Sequence, residues 1–298
     1  MRQTSHTCLL TVCLALLIAL CVHGVVAQAD ASEGADIAGS VGAPPPVSLR
    51  TLYSNVYLQT SAEYRACCLG IYAAAAYRLE ELLEDLEPEP ACPAVVMDLD
   101  MTVLDVSSFQ TYLYVNGLEY TPELWVEYER DGMESVRLVP GAKRFIERAE
   151  ALGVTVVYLS NRNEVTREFT VAALERLGVD VEGIEERIYL KPTGASSDKS
   201  PRRDALAARH NVLVCLGDNL RDFSEIFKPA RLLEDATAED YRRAIEDRAA
   251  AADDAACHWG VDWFVLPNPI YGEWEKLVSP TAEEILQPSF METTGEAE

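Results

Sequence analysis

Short apolar runs alternate with segments of helical periodicity along most of the chain. The runs that predict buried strands are AVVMD, VTVVYLS, RIYLK, NVLVCLGD and DWFVLP, in that order. Before and between them, AYRLEELLEDLE, GAKRFIERAEALG, NEVTREFTVAALERLG and SPRRDALAARH place apolar residues at helical spacing. Wholly apolar strands separated by helices are typical of a parallel sheet covered on both faces. The pattern therefore predicts an α/β fold built on a doubly wound parallel sheet.

Residues 1–27 have the pattern of a secretory signal peptide. Arg2 precedes an apolar stretch, and small residues end at Ala27. The apolar stretch is shorter than the roughly 20 residues that a membrane span needs. We predict export to the periplasm or the medium, with cleavage after Ala27. A lipid anchor on Cys21 is the alternative, and only that anchor would hold the protein at the outer membrane.

The rest of the chain divides into a linker, a folded domain and a tail. Residues 28–50 are small, polar and rich in proline, which predicts a flexible linker. Residues 51–287 form the predicted domain, and residues 288–298 a disordered tail. Residues 107–138 are too long for a simple connection between strands and carry many aromatic side chains.

The chain is strongly acidic, with a formal net charge of −24. An acidic surface repels polyanions, which argues against nucleic acid polymers and anionic membranes as partners. A small anion can still bind where a metal ion and a few local cations reverse the potential.

Outside the predicted signal peptide, the cysteines are Cys67, Cys68, Cys92, Cys215 and Cys257. Their number is odd, so at least one thiol stays free in an exported protein. Cys215 lies in an apolar run and is predicted to be a small core residue. Pairing among the other four stays open, as does the oligomeric state.

Polar residues follow the predicted strands at the points where these strands end. In chain order they are Asp98 and Asp100, Ser160 and Asn161, Lys191 and Lys199, and Asp218 and Asp222. The carboxyl ends of parallel strands meet at one edge of a sheet, where ligands bind in such folds. Carboxylate and carbonyl oxygens suit Mg²⁺, which is usually shared with a phosphate. Hydroxyl and ammonium groups can hold phosphoryl oxygens beside the ion.

These strand ends resemble the motifs of a known family. DLDMTVLD, YLSNRN, YLK with DKSPRR, and GDNLRDF are similar to the four motifs of the haloacid dehalogenase (HAD) superfamily. More narrowly, they resemble those of the bacterial class C acid phosphatases. The resemblance extends from NVYLQTSAEYRA to LPNPIYGEWE, which is most of the chain after the predicted leader.

The resemblance implies a role for each motif residue. Asp98 is the expected nucleophile, and Asp100 is expected to protonate the leaving group and then deprotonate water. The expected Mg²⁺ ligands are the backbone carbonyl of Asp100 and the carboxylates of Asp98, Asp218 and Asp222. Ser160 is expected to donate a hydrogen bond to the transferred phosphoryl group.

The family motifs also include a cation that balances charge at the nucleophile, and three residues of this chain are candidates for it. Lys199 is the first candidate, Arg202 a close neighbour and Lys191 the third. We also predict substrate contacts for Arg202, Lys191 and Asn161, and a supporting role for Asp105. The chain has Met101 where the family commonly has glutamate. This difference changes the local polarity but does not involve a residue expected to carry the chemistry.

The resemblance implies that residues 107–138 form a small helical and aromatic cap over the site. By motif position, Trp125 and Tyr271 are the aromatic faces that clamp a nucleobase in the family. The alternative is that they only form the core of the cap. The resemblance implies an exported, Mg²⁺-dependent acid phosphatase that acts on small phosphomonoesters, with nucleoside 5′-monophosphates as the expected substrates. A catalytically silent nucleotide-binding or storage relative, and another phosphotransferase of the superfamily, are the alternatives.

Overall fold

The structure, a computed structural model, describes residues 47–86, 92–233 and 235–278, with side chains from residue 51 onwards. The predicted signal peptide with Cys21, most of the predicted linker and the predicted tail lie outside the described residues. In the described part of the chain, every helix is too short or too polar to span a membrane.

Two helices precede the sheet. Helix α1 covers Val47–Thr60, and helix α2 covers Ala62–Glu84. The Ser61 hydroxyl accepts a hydrogen bond of 2.9 Å from the backbone N–H three residues later, which caps α2. Helix α1 begins inside the segment predicted as a linker, because the helix-breaking prolines end at Pro46.

The strands of the described residues form one parallel sheet and one short antiparallel pair. They are β1 (Pro93–Met97), β2 (Leu104–Asp105), β3 (Arg137–Leu138), β4 (Thr155–Asn163), β5 (Ile188–Lys191), β6 (Asn211–Gly217) and β7 (Trp263–Val265). The parallel sheet has the order β5-β4-β1-β6-β7, and β2 pairs with β3. Each strand of the parallel sheet lies within or overlaps one of the predicted apolar runs. The predicted fold class is confirmed.

Both faces of the sheet are covered, as the wholly apolar strands require. On β1, Val95 and Met97 belong to the larger core, whereas Ala94 and Val96 face the smaller core on the other side. Helix α2 packs on the first face, with contacts to β6 and β7. The second face is closed in part by Leu206.

The helices after α2 are α3 (Ser107–Asn116), α4 (Pro122–Asp131), α5 (Ala142–Ala151), α6 (Arg167–Arg176), α7 (Ile184–Arg187), α8 (Ser200–Ala207) and α9 (Ala238–Asp254). Helices α5, α6 and α8 correspond to predicted helical segments. Helix α9 was not predicted. Its sequence is rich in alanine and charge, and Tyr241 and Ile245 are its only large apolar residues, so its apolar face gives a weak signal.

The segment 107–138 forms a cap with α3 and α4 at its centre. It leaves and re-enters the core through β2 and β3, which lie side by side in antiparallel register. Phe109 is buried at the centre of the cap and contacts Tyr120, Trp125 and Tyr128, with ring centroids 4.9–6.3 Å away. Helix α3 also packs against α1, where Gln59 donates a hydrogen bond of 2.8 Å to Thr111.

Truncation of a leucine in α2 should reveal how much of the stability comes from packing on the sheet. Leu79 is fully buried, whereas Leu69 of the same helix is 42% exposed. We expect Leu79→Ala to lower the free energy of unfolding by about 2–5 kcal/mol, because it removes packed methyl groups and leaves a cavity. Leu69→Ala should change it by less than about 0.5 kcal/mol. Urea unfolding followed by circular dichroism measures both, and equal effects would contradict the packing described for α2.

Candidate active site

The chain turns sharply after β1 and places Asp98 and Asp100 at the end of the sheet. The Asp98 amide continues the strand ladder and donates a hydrogen bond of 3.0 Å to the carbonyl of Leu216. The Leu99 carbonyl then accepts hydrogen bonds from three amides, those of residues 102 to 104, at 2.7–3.3 Å. Met101 adopts a left-handed backbone conformation with φ of 58°, which is uncommon for a residue with a side chain. Its side chain is fully buried in the larger core, so the departure from the family pattern points away from the site.

Strand β6 delivers a second pair of carboxylates. Asp218 follows the strand, and its two carboxylate oxygens accept hydrogen bonds from Asn268 at 2.7 Å and Thr102 at 3.3 Å. Asp222 closes a tight capping turn, in which its Oδ2 accepts a hydrogen bond of 2.9 Å from the Asn219 amide. The loop therefore fixes both carboxylates by short-range hydrogen bonds.

Gly217 leaves room for this arrangement. A Cβ atom at this position would lie 2.5 Å from Cβ and from Oδ2 of Asp222. Any side chain at Gly217 would thus push the Asp222 carboxylate out of place. A glycine at the end of β6 is needed for close approach to that side chain.

Lys199 joins the two strand ends. It precedes α8 and is buried, and its ammonium donates hydrogen bonds to Asp98 Oδ1 at 2.5 Å and to Asp222 Oδ1 at 2.7 Å. A third hydrogen bond of 2.7 Å goes to the backbone carbonyl of Leu159 in β4. Burial lowers the pKa of Lys199, but the charges of Asp222 and Asp98 outweigh it and hold the pKa above its usual value. Of the three candidate cations, Lys199 alone contacts these carboxylates within the described residues.

The carboxylates of Asp98, Asp218 and Asp222 form one cluster. Each offers an oxygen, and the three oxygens lie within 4.8 Å of one another. Burial raises the pKa of Asp98 to about 7, against the charge of Lys199, and Asp222 adds to the rise. Burial and the charges of Asp222 and Asp98 likewise raise the pKa of Asp218. A divalent cation with oxygen preference fits this cluster, since it would relieve both the repulsion and the burial of charge.

Strand β4 contributes the hydroxyl of Ser160, and hydrogen bonds from neighbouring side chains hold the end of the strand. Ser160 is buried, while the neighbouring Asn161 lines the cavity described below. Arg202 donates hydrogen bonds to the Ser160 carbonyl at 2.5 Å and to Asn161 Oδ1 at 2.6 Å. Asn161 in turn donates a hydrogen bond of 3.0 Å to the carbonyl of Ser197.

Two residues predicted to contact substrate lie apart from the cavity lining. Arg202 and Lys191 lie outside the set of described residues that line the cavity. Arg202 holds the backbone and the side chain at the end of β4, which is a supporting contact. Lys191 ends β5, the edge strand of the sheet, where it pairs in register with Asn163 beyond the Ser160 position. Sequence order alone cannot reveal that β5 lies at the edge.

Arg162 is a site residue that the sequence analysis missed. Its side chain is fully buried, and its guanidinium donates hydrogen bonds to both carboxylate oxygens of Asp100, the shortest at 2.7 Å. The guanidinium also lies 5.5 Å from the ring centre of Trp125 and 3.7 Å from a carboxylate oxygen of Glu129. A signal was present, since residues two apart on a strand share a face and Arg162 follows Ser160 by two.

The motif residues surround a cavity of about 890 Å³, a size typical of small-molecule sites. The sheet side of the lining includes Asp98, Asp100, Ser160, Lys199, Asp218 and Asp222. Trp125 and Tyr271 both line it as well, together with Tyr114 and Tyr120 of the cap. The sequence analysis did not single out Tyr114 and Tyr120, because their place at the cavity depends on how the cap folds.

The C-terminal segment is fastened to the site by Arg221. This buried arginine donates hydrogen bonds to Glu273 at 2.8 Å and to Glu225 at 2.7 Å. Burial tends to raise the pKa of Glu273, but its contacts with Lys276 and Arg221 hold the pKa below the usual value. Tyr271 is thereby held beside the loop that carries Asp218 and Asp222. Asp105, farther from the cavity, accepts a hydrogen bond of 3.0 Å from the Ser107 amide and so supports the turn into the cap.

This arrangement offers the parts that phosphoryl transfer needs. A buried carboxylate, Asp98, lies at the cavity beside a second carboxyl group, Asp100. The hydroxyl of Ser160 can donate a hydrogen bond to an anion, and the ammonium of Lys199 supplies positive charge beside it. Phosphoryl transfer depends on positioning and on charge compensation around the phosphorus, with a carboxylate as one possible nucleophile.

Comparison with known proteins agrees with this chemistry. The model of the HAD superfamily, subfamily IIIB (acid phosphatase), matches residues 45–274. The fold is similar to a class C acid phosphatase from Bacillus anthracis with tungstate bound, at a TM-score of 0.67 and 27% identity, over 81% of this chain and 91% of that one. A second structure of the class C acid phosphatase from Bacillus anthracis has a TM-score of 0.67 and 29% identity, over 80% of this chain and 95% of that one.

The resemblance stated from the motifs is thus confirmed over most of the chain. The matched segment contains the whole parallel sheet, the cap and every predicted site residue. The alternative of a catalytically silent relative is set aside. The chain belongs to the acid phosphatases of HAD subfamily IIIB, and it is a phosphomonoesterase.

Proposed function

We propose that this phosphomonoesterase is an exported, Mg²⁺-dependent enzyme that hydrolyses nucleoside 5′-monophosphates through a phosphorylated aspartate. The observation that carries the proposal is the position of Asp98. It lies between the ammonium of Lys199 and the carboxylates of Asp218 and Asp222, at a cavity large enough for a nucleotide.

Asp98 attacks the phosphorus atom and forms an acyl phosphate, so that one difficult displacement becomes two easier ones. The Asp100 carboxyl group, two residues later, donates a proton to the leaving oxygen. In the second step it removes a proton from the water that hydrolyses the acyl phosphate. Ser160 and Asn161 donate hydrogen bonds to phosphoryl oxygens, and Lys199 balances charge on Asp98 and the phosphoryl group.

The proposed Mg²⁺ ligands are the carboxylates of Asp98, Asp218 and Asp222 and the backbone carbonyl of Asp100. The fit rests on three carboxylate oxygens that lie within 4.8 Å of one another, with Lys199 in contact with two of these carboxylates, Asp98 and Asp222. The ion supplies positive charge for the phosphoryl oxygens and lowers the repulsion among the carboxylates. The hydrogen bonds to Asn268, Thr102 and the Asn219 amide hold its ligands in place.

The proposed nucleotide preference rests on the aromatic side of the cavity. Trp125 and Tyr271 supply faces for base stacking, and Tyr114 and Tyr120 lie on the same lining. Every nucleobase has a flat face, so stacking selects nucleotides over sugar phosphates while tolerating any base. Part of the Trp125 ring is already covered by Phe109 and Tyr128, with ring centroids 5.1 and 5.5 Å away.

The proposed export rests on the sequence of residues 1–27, with Ala27 and Cys21 as alternative processing points. The proposed division into linker, domain and tail likewise rests on sequence. Transfer of the phosphoryl group to an acceptor other than water is the second candidate reaction. The same Asp100 would deprotonate the acceptor, so product analysis with and without an added alcohol separates hydrolysis from transfer.

Removal of divalent metal should abolish activity reversibly. We expect EDTA to stop phosphate release from a nucleoside monophosphate, because the carboxylate cluster then lacks its counter-charge, and added Mg²⁺ to restore it. EDTA saturated with Mg²⁺ before addition is the control and should have no effect. Full turnover by protein that metal analysis shows to be free of divalent ions would refute the metal requirement.

Asp98→Asn should lose turnover while keeping the fold. We expect kcat to fall by roughly three orders of magnitude or more, as it does when a covalent nucleophile is removed. The stability should be unchanged or higher, because burial and neighbouring carboxylates already disfavour the charge of Asp98. Asp131→Asn, the same change at an exposed position, is the control. Wild-type kcat in a folded Asp98→Asn sample, with its mass verified, would rule out this nucleophile.

Loss of either aromatic face should weaken nucleotide binding selectively. Stacking contributes about 1–3 kcal/mol per base, so Trp125→Ala and Tyr271→Ala should raise KM for a nucleotide roughly ten- to a hundredfold. Hydrolysis of a small alkyl phosphate should change much less. Tyr77→Ala, at a tyrosine that is 73% exposed on α2, is the control.

The decisive measurement is the loss of activity on the nucleotide relative to the loss on the alkyl phosphate, because Trp125 also lies over Arg162. Equal losses on both substrates would mean that these aromatic residues only support the cap. Unchanged KM for the nucleotide in both variants would place the clamp elsewhere.

A further inference from the structure

Arg162 is enclosed by the core and the cap together. It comes from β4, and its side chain has no exposed surface. Its Nη1 donates a hydrogen bond of 3.3 Å to the hydroxyl of Thr170 in α6 and a weak one of 3.7 Å to the sulfur of Met133. Trp125 of α4 covers the guanidinium. A buried charge held from so many directions has one orientation, and that orientation points at Asp100.

The hydrogen bonds from Arg162 to Asp100 are uneven. Oδ1 accepts from Nη2 at 2.7 Å and from Nε at 3.0 Å, whereas Oδ2 accepts only the second branch of Nε, at 3.2 Å. A guanidinium holds a carboxylate in a fixed plane because its N–H groups form a rigid fork. Oδ1 is therefore the anchored oxygen, and Oδ2 keeps the capacity to carry a proton.

Glu129 of α4 lies on the other side of the guanidinium. It is fully buried, and one of its carboxylate oxygens lies 3.7 Å from Nη1 of Arg162. The side chains of Thr166 and Trp125 lie near this carboxylate, but within the described residues neither oxygen is met with full hydrogen-bond geometry. A buried carboxylate without hydrogen bonds is costly unless a nearby charge compensates it. Burial raises the pKa of Glu129 to about 7, and the charge of Arg162 opposes that rise, so the ionised form of Glu129 depends on this guanidinium.

We propose that Arg162, compensated by Glu129 of the cap, is the positioning residue that orients the Asp100 carboxyl group for proton transfer. The inference rests on the proposed role of Asp100 as acid and base. Arg162 fixes the plane of the carboxyl group and leaves Oδ2 for the proton. Glu129 balances the guanidinium charge, so that Arg162 can orient Asp100 without adding a net positive charge beside the proton to be transferred.

This role predicts a dependence on the leaving group. An alkoxide must be protonated as it leaves, whereas 2,4-dinitrophenolate leaves without a proton. A misplaced acid therefore slows the hydrolysis of an alkyl phosphate and spares 2,4-dinitrophenyl phosphate. Loss of structure alone lowers the activity on both substrates by the same factor. The value of kcat/KM reports the steps up to formation of the acyl phosphate, in which the acid acts.

The test compares kcat/KM on ethyl phosphate and 2,4-dinitrophenyl phosphate. Asp100→Asn, the reference, should lose about 10²–10⁴-fold on the alkyl ester and far less on the dinitrophenyl ester. Arg162→Gln should show the same bias, with a loss of roughly 10²-fold on the alkyl ester from misplacement. Arg162→Lys keeps the positive charge but lacks the planar guanidinium that holds the Asp100 carboxylate. It should therefore also slow the alkyl ester more than the dinitrophenyl ester.

Glu129→Gln should show a smaller loss with the same bias. Its matched control is Glu127→Gln, the same substitution at an exposed position of the same helix, which should leave both values unchanged. These conservative variants decide the question if Arg162→Gln does not fold.

Failure of the positioning role and failure of the proposed acid role of Asp100 give different results. Equal losses on both esters in the Arg162 and Glu129 variants, with a clear bias in Asp100→Asn, would overturn the positioning role alone. An unbiased Asp100→Asn would overturn the acid role of Asp100 and, with it, this inference. A bias in all four of these variants, absent from Glu127→Gln, is the result that supports it.

Discussion

The repulsion among three clustered carboxylates is the constraint that governs this site. Asp98 follows β1, while Asp218 and Asp222 follow β6, and adjacent parallel strands force them together. Lys199 supplies one positive charge and commits all three of its N–H groups, to Asp98, Asp222 and the Leu159 carbonyl. One ammonium cannot balance three carboxylates. The remaining negative charge makes the strand ends receptive to a cation within an otherwise acidic protein.

The surrounding structure holds these charges in place. The Asp222 turn is closed by its own capping hydrogen bond, and Gly217 leaves the space that this turn occupies. Asn268 reaches Asp218 from the C-terminal segment, and Arg221 ties that segment down through Glu273. Parts of the chain far apart in sequence therefore meet at the loop that carries Asp218 and Asp222. The contacts that pack the C-terminal segment therefore also fix the geometry of the carboxylates.

The sequence was sufficient for the sheet and for the motif positions. Continuous apolar runs have few alternatives to buried strands, and four polar strand ends in fixed order identify the family. Contacts between side chains of different helices and strands could not be predicted from the sequence. That Lys199 reaches the carboxylates while Arg202 supports β4 depends on how α8 packs. The pairing of Arg162 with Glu129 joins β4 to the cap, and no spacing along the chain encodes it. Helix α9 was missed for a different reason, since only two large apolar residues, Tyr241 and Ile245, mark its apolar face.

The antiparallel pair of β2 and β3 bears on how such a protein changes over evolutionary time. The chain leaves the core at Leu104–Asp105 and returns at Arg137–Leu138, with the two crossings hydrogen-bonded side by side. Whatever is inserted between them begins and ends at the same place on the scaffold. Natural selection can thus lengthen, shorten or replace the insert without shifting the register of the parallel sheet. Change in the insert is uncoupled from the strand-end aspartates, except around Arg162, where Glu129, Trp125 and Met133 of the insert contact the guanidinium that holds Asp100. An exchanged insert must bring its own partner for that charge.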